Sequence, residues 1–241
     1  MMIKAVFLDF YGTLAQWVPA RESIQWGACQ AEGLTVSTEA LAQAYPVADD
    51  YMARENAHTP LAVRPEAEQQ SLLAEYERVL LRAAGLEVAL EQAERIWRRV
   101  SSAPKELGLY DDVEPALEGV LAAGLRMGII SNMGRELDGV LDRLGLRRFI
   151  QVVSTSAEAG ISKPNPGIFE AALTKAGIQP QEAIHVGDHY EGDVVGALGA
   201  RMHALLLARE PSLITPAECP TITTLDELLP YLNNAGYLAA S

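Results

Sequence analysis

Cationic side chains are scarce: 19 Lys and Arg stand against 32 Asp and Glu, for a formal net charge of −13 at pH 7. Such a surface repels phosphate backbones and anionic headgroups, which argues against a nucleic-acid or membrane-surface partner. An anionic substrate would need local positive charge to enter. Cysteine is scarcer still. Cys29 and Cys219 lie far apart with no ligand cluster around them, which excludes a disulfide framework or a thiolate metal centre and suits free thiols in a reducing cytosol, hence a cytoplasmic protein. No stretch approaches the roughly 18 consecutive apolar residues of a membrane span, and the amino terminus does not read as a signal peptide. Internal repeats and low-complexity tracts are also missing. What is abundant is apolar content, 49% of 241 residues, enough for a sizeable core in between one and two domains at roughly 150 residues each.

Lys4 to Leu14 reads KAVFLDFYGTL. Its continuous apolar run, Ala5 to Leu8, predicts a strand buried on both faces, the habit of a central strand in a parallel sheet. Asp9 then sits at the carboxyl end of that strand, where open α/β sheets place their ligands. Residues 15–107 differ in kind. Arg21 to Glu32, Thr38 to Ala57, Pro65 to Ala84 and Leu90 to Ser102 carry apolar residues at three- and four-residue spacing, which predicts four amphipathic helices. Ser37-Thr38 and Pro65 read as helix starts, and Pro46 is expected to interrupt or kink the second helix. Four helices in succession predict a small bundle inserted after the first strand.

From Tyr110 onward strands alternate with helices. Helices are expected at Asp112 to Gly124, Arg135 to Gly145, Pro166 to Gly177, Asp193 to Ala200 and Leu225 to Asn233, and strands at Leu125 to Asn132, Phe149 to Ser154, Ala183 to Asp188 and His203 to Ala208. Repeated βα units predict an α/β, doubly wound parallel sheet with helices on both faces. One such domain is formed by residues 1–14 and 108–241, and a helical domain by residues 15–107. Parallel strands bring Asp9, Ser131-Asn132 and Gly187-Asp188 to one rim, with Lys163 nearby at the start of a helix.

The segments DFYGTL, IISN, GISKPNPGIF and VGDHYEGDVVGA, in this order and spacing, resemble the four motifs of the haloacid dehalogenase-like hydrolase superfamily, in its subfamily with a helical cap between the first two. The likeness covers essentially the whole chain. It implies a Rossmann-like core with an inserted α-helical cap, and a Mg²⁺-dependent phosphatase acting on a small anionic phosphorylated metabolite through an aspartyl-phosphate intermediate. By this resemblance Asp9 is the nucleophile, Ser131 bonds the transferred group, Asn132 shapes the adjoining turn at the substrate, and Lys163 fixes the charge of nucleophile and substrate. Mg²⁺ would be held by Asp9, Asp188 and the backbone carbonyl of Tyr11, with Asp193 orienting that site from behind. Thr13 and the Gly12-Thr13 amides are further candidate donors, or plain turn chemistry. A phosphate monoester carries about two negative charges. Asp9 and Asp188 add two more, so Mg²⁺ and Lys163 are needed to leave the substrate-free site with one net positive charge.

One position departs from the pattern. Phosphatases of this superfamily carry a second Asp two residues after the nucleophile, and here that residue is Tyr11. A phenol with an ordinary pKa of about 10 is only about a thousandth ionised at neutral pH and is a poor general base. Tyrosine there is the pattern of the 2-haloacid dehalogenases, in which Asp9 would attack carbon and displace halide. Against that, GDHYEGD has the full spacing of the metal-dependent phosphatases, and Phe169 replaces a dehalogenase tyrosine. A catalytically weak binding or regulatory protein is the third reading. His189 and Glu191 are candidates to assist beside Asp188. In the cap, Arg21, Arg54, Arg64, Trp17 and Trp26 are candidates for substrate contact, with hinges expected near Ala15 to Pro19 and Leu107 to Leu109.

Overall fold

In the computed structural model, residues 2–134, 136–209 and 219–238 are described. The chain divides into two compact units, Met1–Ala15 with Leu109–Ser241, and Gln16–Gly108. In chain order the first unit opens with β1 (Ala5–Leu8). The chain then passes through β2 (Ala15–Val18), four helices, α1 (Arg21–Ala31), α2 (Thr38–His58), α3 (Glu66–Ala83) and α4 (Leu90–Ser102), and β3 (Glu106–Leu109). It continues through α5 (Val113–Ala122), β4 (Arg126–Ser131), α6 (Leu137–Arg143), β5 (Val152–Thr155), α7 (Ser156–Ala159), α8 (Pro166–Ala176) and β6 (Ala183–Gly187). The last elements are α9 (Gly196–Gly199), β7 (His203–Leu207), β8 (Thr221–Ile222) and α10 (Leu228–Asn234).

The sheet of the first unit has six strands in the order β5-β4-β1-β6-β7-β8, and every neighbouring pair is parallel. This is the α/β, Rossmann-like arrangement expected of alternating βα units. β1 lies at its centre, and its four residues are all buried, which accounts for an unbroken apolar run in place of alternation. Around Phe7 on one face are packed Ile168, Phe169, Leu173, Val194 and Ala197.

Several elements differ from the sequence-based expectation. The apolar stretch from Phe149 yields a strand only from Val152, because Phe149 and Ile150 fill the core as loop residues (2% and 6% exposed). The helix expected over Asp193 to Ala200 is preceded by a wider π-helical turn over Tyr190–Val195, and such turns concentrate at functional sites. The tail begins as a 3₁₀ turn, Leu225–Glu227, fixed by a reciprocal Thr224 and Glu227 capping box. Arg135, expected to start a helix, lies outside the described residues, and α6 begins at Leu137. The segments expected to act as hinges pair with each other as the two-stranded sheet β2-β3. At four residues each they are too short to show a period.

In the second unit α2 runs unbroken through Pro46. Burial of Leu41, Ala44, Tyr45 and Ala48 on both sides of the proline holds the helix together despite the lost hydrogen bond. Ser37 caps it, accepting from the Ala40 N–H at 3.1 Å. The bundle core is mainly aliphatic, with Tyr45, Cys29, Gln25 and Glu77 buried within it. Cys29 is a buried free thiol, pushed up to about 11 by burial, which makes it unreactive. Glu77 is fully buried (0% exposed) and accepts a hydrogen bond from Gln25, while its Oε2 has no hydrogen-bond partner among the described residues. Among the described residues, no helix is long and apolar enough to cross a membrane.

Burial pushes the Glu77 carboxyl up to about 7. The folded state therefore holds this proton more tightly than the unfolded chain, and stability falls as pH rises through the window from about 4.5 to about 7. Glu77→Gln keeps the shape and removes the titration. The variant is expected to match the parent near pH 4.5 and to exceed it by about 3 kcal/mol at pH 8, as read by urea unfolding across that range. Equal slopes for the two proteins would refute this.

Candidate active site

The sheet itself places Asp9. β1 is paired on both sides, with Leu8 opposite Ile129 and Val186, and the ladder runs one step further through Asp9 N–H donating to the Val186 carbonyl at 2.9 Å. The carboxyl group emerges at the rim, 7% exposed. The chain then turns sharply, with the Phe10 carbonyl accepting from the Leu14 and Ala15 N–H groups at 2.8 and 2.9 Å. Gly12 has φ +86°, and a Cβ there would lie 2.2 Å from Asp188 Oδ2. Both the backbone and the space demand glycine. Thr13, fully buried, donates from Oγ1 to Asp188 Oδ1 at 3.3 Å. The first motif is thereby tied to the fourth.

Lys163 arrives from the loop before α8. Asn132 brackets its backbone, accepting from the Lys163 N–H at 2.8 Å and donating to its carbonyl at 3.2 Å. The ammonium is buried (4% exposed) and donates to Asp9 Oδ1 at 2.5 Å and to Asp193 Oδ1 at 2.6 Å. Asp193 is 1% exposed and is held at both ends, since Oδ1 also takes His185 Nε2 at 2.9 Å and Oδ2 takes the His189 N–H at 3.0 Å.

The charges explain the titration directions. Burial by itself would lift the Asp193 carboxyl, but Lys163 and His185 outweigh it and hold the group far below the usual carboxylate range. Burial also opposes the Lys163 charge, and the two aspartates overcome that, so its ammonium is held more tightly than usual. For Asp9 burial wins: its carboxyl sits above the usual value although Lys163 pulls it down.

Carboxylate oxygens of Asp9, Asp188 and Asp193 lie within 4.8 Å of one another. With Lys163 the cluster carries a net charge of two negatives, which a hard dication on oxygen ligands would neutralise. Because both oxygens of Asp193 already have donors, Asp9 and Asp188 are the pair that fits such an ion. This alters the charge balance expected from the sequence, because the Lys163 charge is shared with Asp193.

The remaining predicted residues fall as follows. Ser131 ends β4, buried, its Oγ accepting from the Met133 N–H at 3.2 Å. Tyr11 is half-buried in the turn, its backbone bridged to Ala15. His189 Nδ1 accepts from the Gly192 N–H at 2.9 Å, while Glu191 is exposed. Among the residues proposed for substrate contact in the helical unit, Arg21 pairs with Asp49 at 2.9 Å and covers the Tyr45 ring. Arg64 binds Glu55 at 3.2 Å, Arg54 bonds the Asp50 carbonyl, Lys105 lies over Trp17, and Trp26 is exposed.

Sequence reasoning missed two residues. His185 interrupts the apolar β6 and could have been noticed for that. Arg209, just past β7, binds Asp112 through two nitrogens at 2.8 and 2.9 Å, donates to the Thr13 carbonyl at 2.7 Å and lies over Tyr110. Its partners are distant in sequence, so no local signal marks it.

The sequence pattern of the haloacid dehalogenase-like hydrolase family matches residues 3–201. The chain belongs to this family. The chain is 39% identical over 121 residues to haloacid dehalogenase-like hydrolase domain-containing protein 3 of Homo sapiens, covering 50% of this chain and 48% of that protein. It is 41% identical over 110 residues to a glyceraldehyde 3-phosphate phosphatase of Methanothermobacter thermautotrophicus, covering 45% and 47%. The match thus spans about half the length of these curated relatives. Among solved structures, a 2-haloacid dehalogenase from Pseudomonas syringae pv. Tomato DC3000 is 25% identical, covers 97% of this chain and 100% of that one, and superposes with a TM-score of 0.57.

Proposed function

We propose that this hydrolase cleaves phosphate monoesters of small metabolites, with Asp9 as nucleophile and Mg²⁺ held by Asp9, Asp188 and the Tyr11 backbone carbonyl. The observation that carries this reading is the Asp9–Asp188 pair, with Asp9 bonded to buried Lys163 and Asp188 fixed by Thr13. A 2-haloacid dehalogenase has no need of such a dication site. The phosphatase-named relative gives further support over the half of its length that aligns.

On this reading the Asp9 carboxylate attacks phosphorus while the ester oxygen departs, and water then hydrolyses the acyl phosphate to free Asp9 and phosphate. The bound ion would neutralise charge on the transferred phosphoryl oxygens. Lys163 pulls the Asp9 carboxyl toward its ionised form against burial and holds it in place. Ser131, at the end of β4, would bond the phosphoryl group. Tyr11 is a weak acid and a weak base, so the hydrolase should favour leaving groups stable as anions, as in acyl and aryl phosphates.

The test is turnover of p-nitrophenyl phosphate, acetyl phosphate and 2-chloropropionate with and without Mg²⁺. Chelation or Asp188→Ala is expected to lower phosphate turnover at least about a hundredfold, with recovery of the parent on adding Mg²⁺ back. Phosphate release indifferent to both would sink the reading. Tyr11 favours the dehalogenase alternative, which predicts halide release that survives chelation.

A further inference from the structure

A histidine in the middle of a central strand is an odd choice of residue. His185 lies on β6 between Ile184 and Val186, opposite Phe7 on β1 and Ala204 on β7, with 0% exposure. An apolar side chain would fill this place without desolvating an imidazole. One nitrogen is left unsatisfied: Nδ1 is buried with no hydrogen-bond partner among the described residues. The other, Nε2, donates to Asp193 Oδ1, the same oxygen that receives the Lys163 ammonium. The alternation of strands puts His185 on the face of the sheet that carries Phe7 and Asp9. Its ring is clamped edge-on against Phe169, with centroids 5.1 Å apart at 88°. A chain of contacts thus runs through buried groups from His185 to Asp193, from Asp193 to Lys163, and from Lys163 to Asp9.

We propose that His185 is a positioning residue for the nucleophile: by donating to Asp193 it fixes that carboxylate, which holds Lys163 against Asp9. Rotation of the Asp193 carboxylate is opposed at Oδ2 by the His189 N–H and at Oδ1 by His185. Without His185, Oδ1 has only the lysine, and the carboxylate and ammonium can swing together away from Asp9. A carboxylate that accepts on all sides keeps its orientation as charge moves during attack, as outer partners of catalytic groups do elsewhere. The role concerns the attack step, not substrate affinity, because His185 lies beneath the rim and meets the site only through Asp193. The inference rests on the phosphatase reading for its kinetic test and is independent of it for its spectroscopic one.

His185→Phe keeps a flat ring against Phe169 and removes the donor, whereas His185→Gln carries an amide N–H that reaches the Nε2 position. For p-nitrophenyl phosphate, His185→Phe is expected to lower kcat about tenfold with KM within about twofold, and His185→Gln to recover most of the loss. A purely structural role predicts the opposite order, since phenylalanine packs better than glutamine in this strand, and thermal melting of both variants reports that packing. The second readout needs no turnover: the Lys163 ¹⁵Nζ resonance of uniformly labelled protein is expected in slow exchange for the parent and His185→Gln, and broadened for His185→Phe. Parent protein that fails to hydrolyse any phosphate would refute the phosphatase reading alone. An unchanged Lys163 resonance in His185→Phe, or glutamine no better than phenylalanine, would overturn the proposal.

Discussion

Asp9→Asn is expected to lower kcat for p-nitrophenyl phosphate by at least about a thousandfold, because an amide oxygen cannot displace the ester group and form the acyl phosphate. The substitution isolates chemistry from architecture. Asparagine keeps the shape and an oxygen that can accept from Lys163, so the Lys163 contact at 2.5 Å and the turn behind it should survive. Stability should not fall. Burial, with the neighbouring Asp193 charge adding to it, holds the Asp9 carboxyl above its usual value, so in the parent the folded state takes up this proton more readily than the unfolded chain. The parent loses stability as pH climbs above about 4, and Asp9→Asn should be flatter over that span. Turnover and urea unfolding of the same preparations check both halves. An Asp9→Asn variant that retains a tenth of the parent rate would remove Asp9 from the role of nucleophile.

The parts of this arrangement legible in the sequence were those encoded locally. Ala5–Leu8 announces a buried central strand, and an acid at its end followed by Gly12 announces a turn at a ligand rim. Asp188 and Lys163 are visible because each sits in a strongly patterned segment. The helix positions were readable from apolar spacing, including the Ser37 cap. What could not be read depends on contacts between distant segments. Pro46 reads as a break but is carried through by burial of its neighbours on α2. Phe149 and Ile150 have strand-like residues and serve as core filling. The clasp of Arg209 on Asp112, Tyr110 and the Thr13 carbonyl joins three separate segments. In Asp112 burial would raise the carboxyl, yet the guanidinium fork and the Leu225 N–H hold it low, a balance that only the folded chain defines. The partnership of Asp193 with His185 is of the same kind, and so is the sharing of Lys163 with Asp193 that alters the charge balance of the site.

Lys163→Met carries the largest expected cost in stability. Methionine fills the volume, but the variant leaves Asp9 and Asp193 buried without the cation that each contacts. Removing one partner of a buried ion pair costs about 3 to 5 kcal/mol, mostly through the charge left behind. The pH dependence separates this cause from packing. In the parent, Asp193 is held far below its usual value, so its contribution is present in full above about pH 4 and is lost only as pH falls through the folded value. The Lys163 charge is held above its usual range, so its contribution persists through neutral pH and is lost only in strong base. In Lys163→Met both carboxyls lose their counter-charge and rise, the folded state takes up protons, and stability increases as pH drops from 7 toward 5. The gap between variant and parent should therefore narrow over that interval, where a packing defect would keep it constant. Adding Asp193→Asn to Lys163→Met removes one of the stranded charges and should restore about half of the loss at pH 7. A gap that neither narrows on acidification nor shrinks with the second substitution would show that the loss comes from imperfect packing of methionine and not from stranded charge, leaving Asp9 without the electrostatic partner on which its reactivity depends.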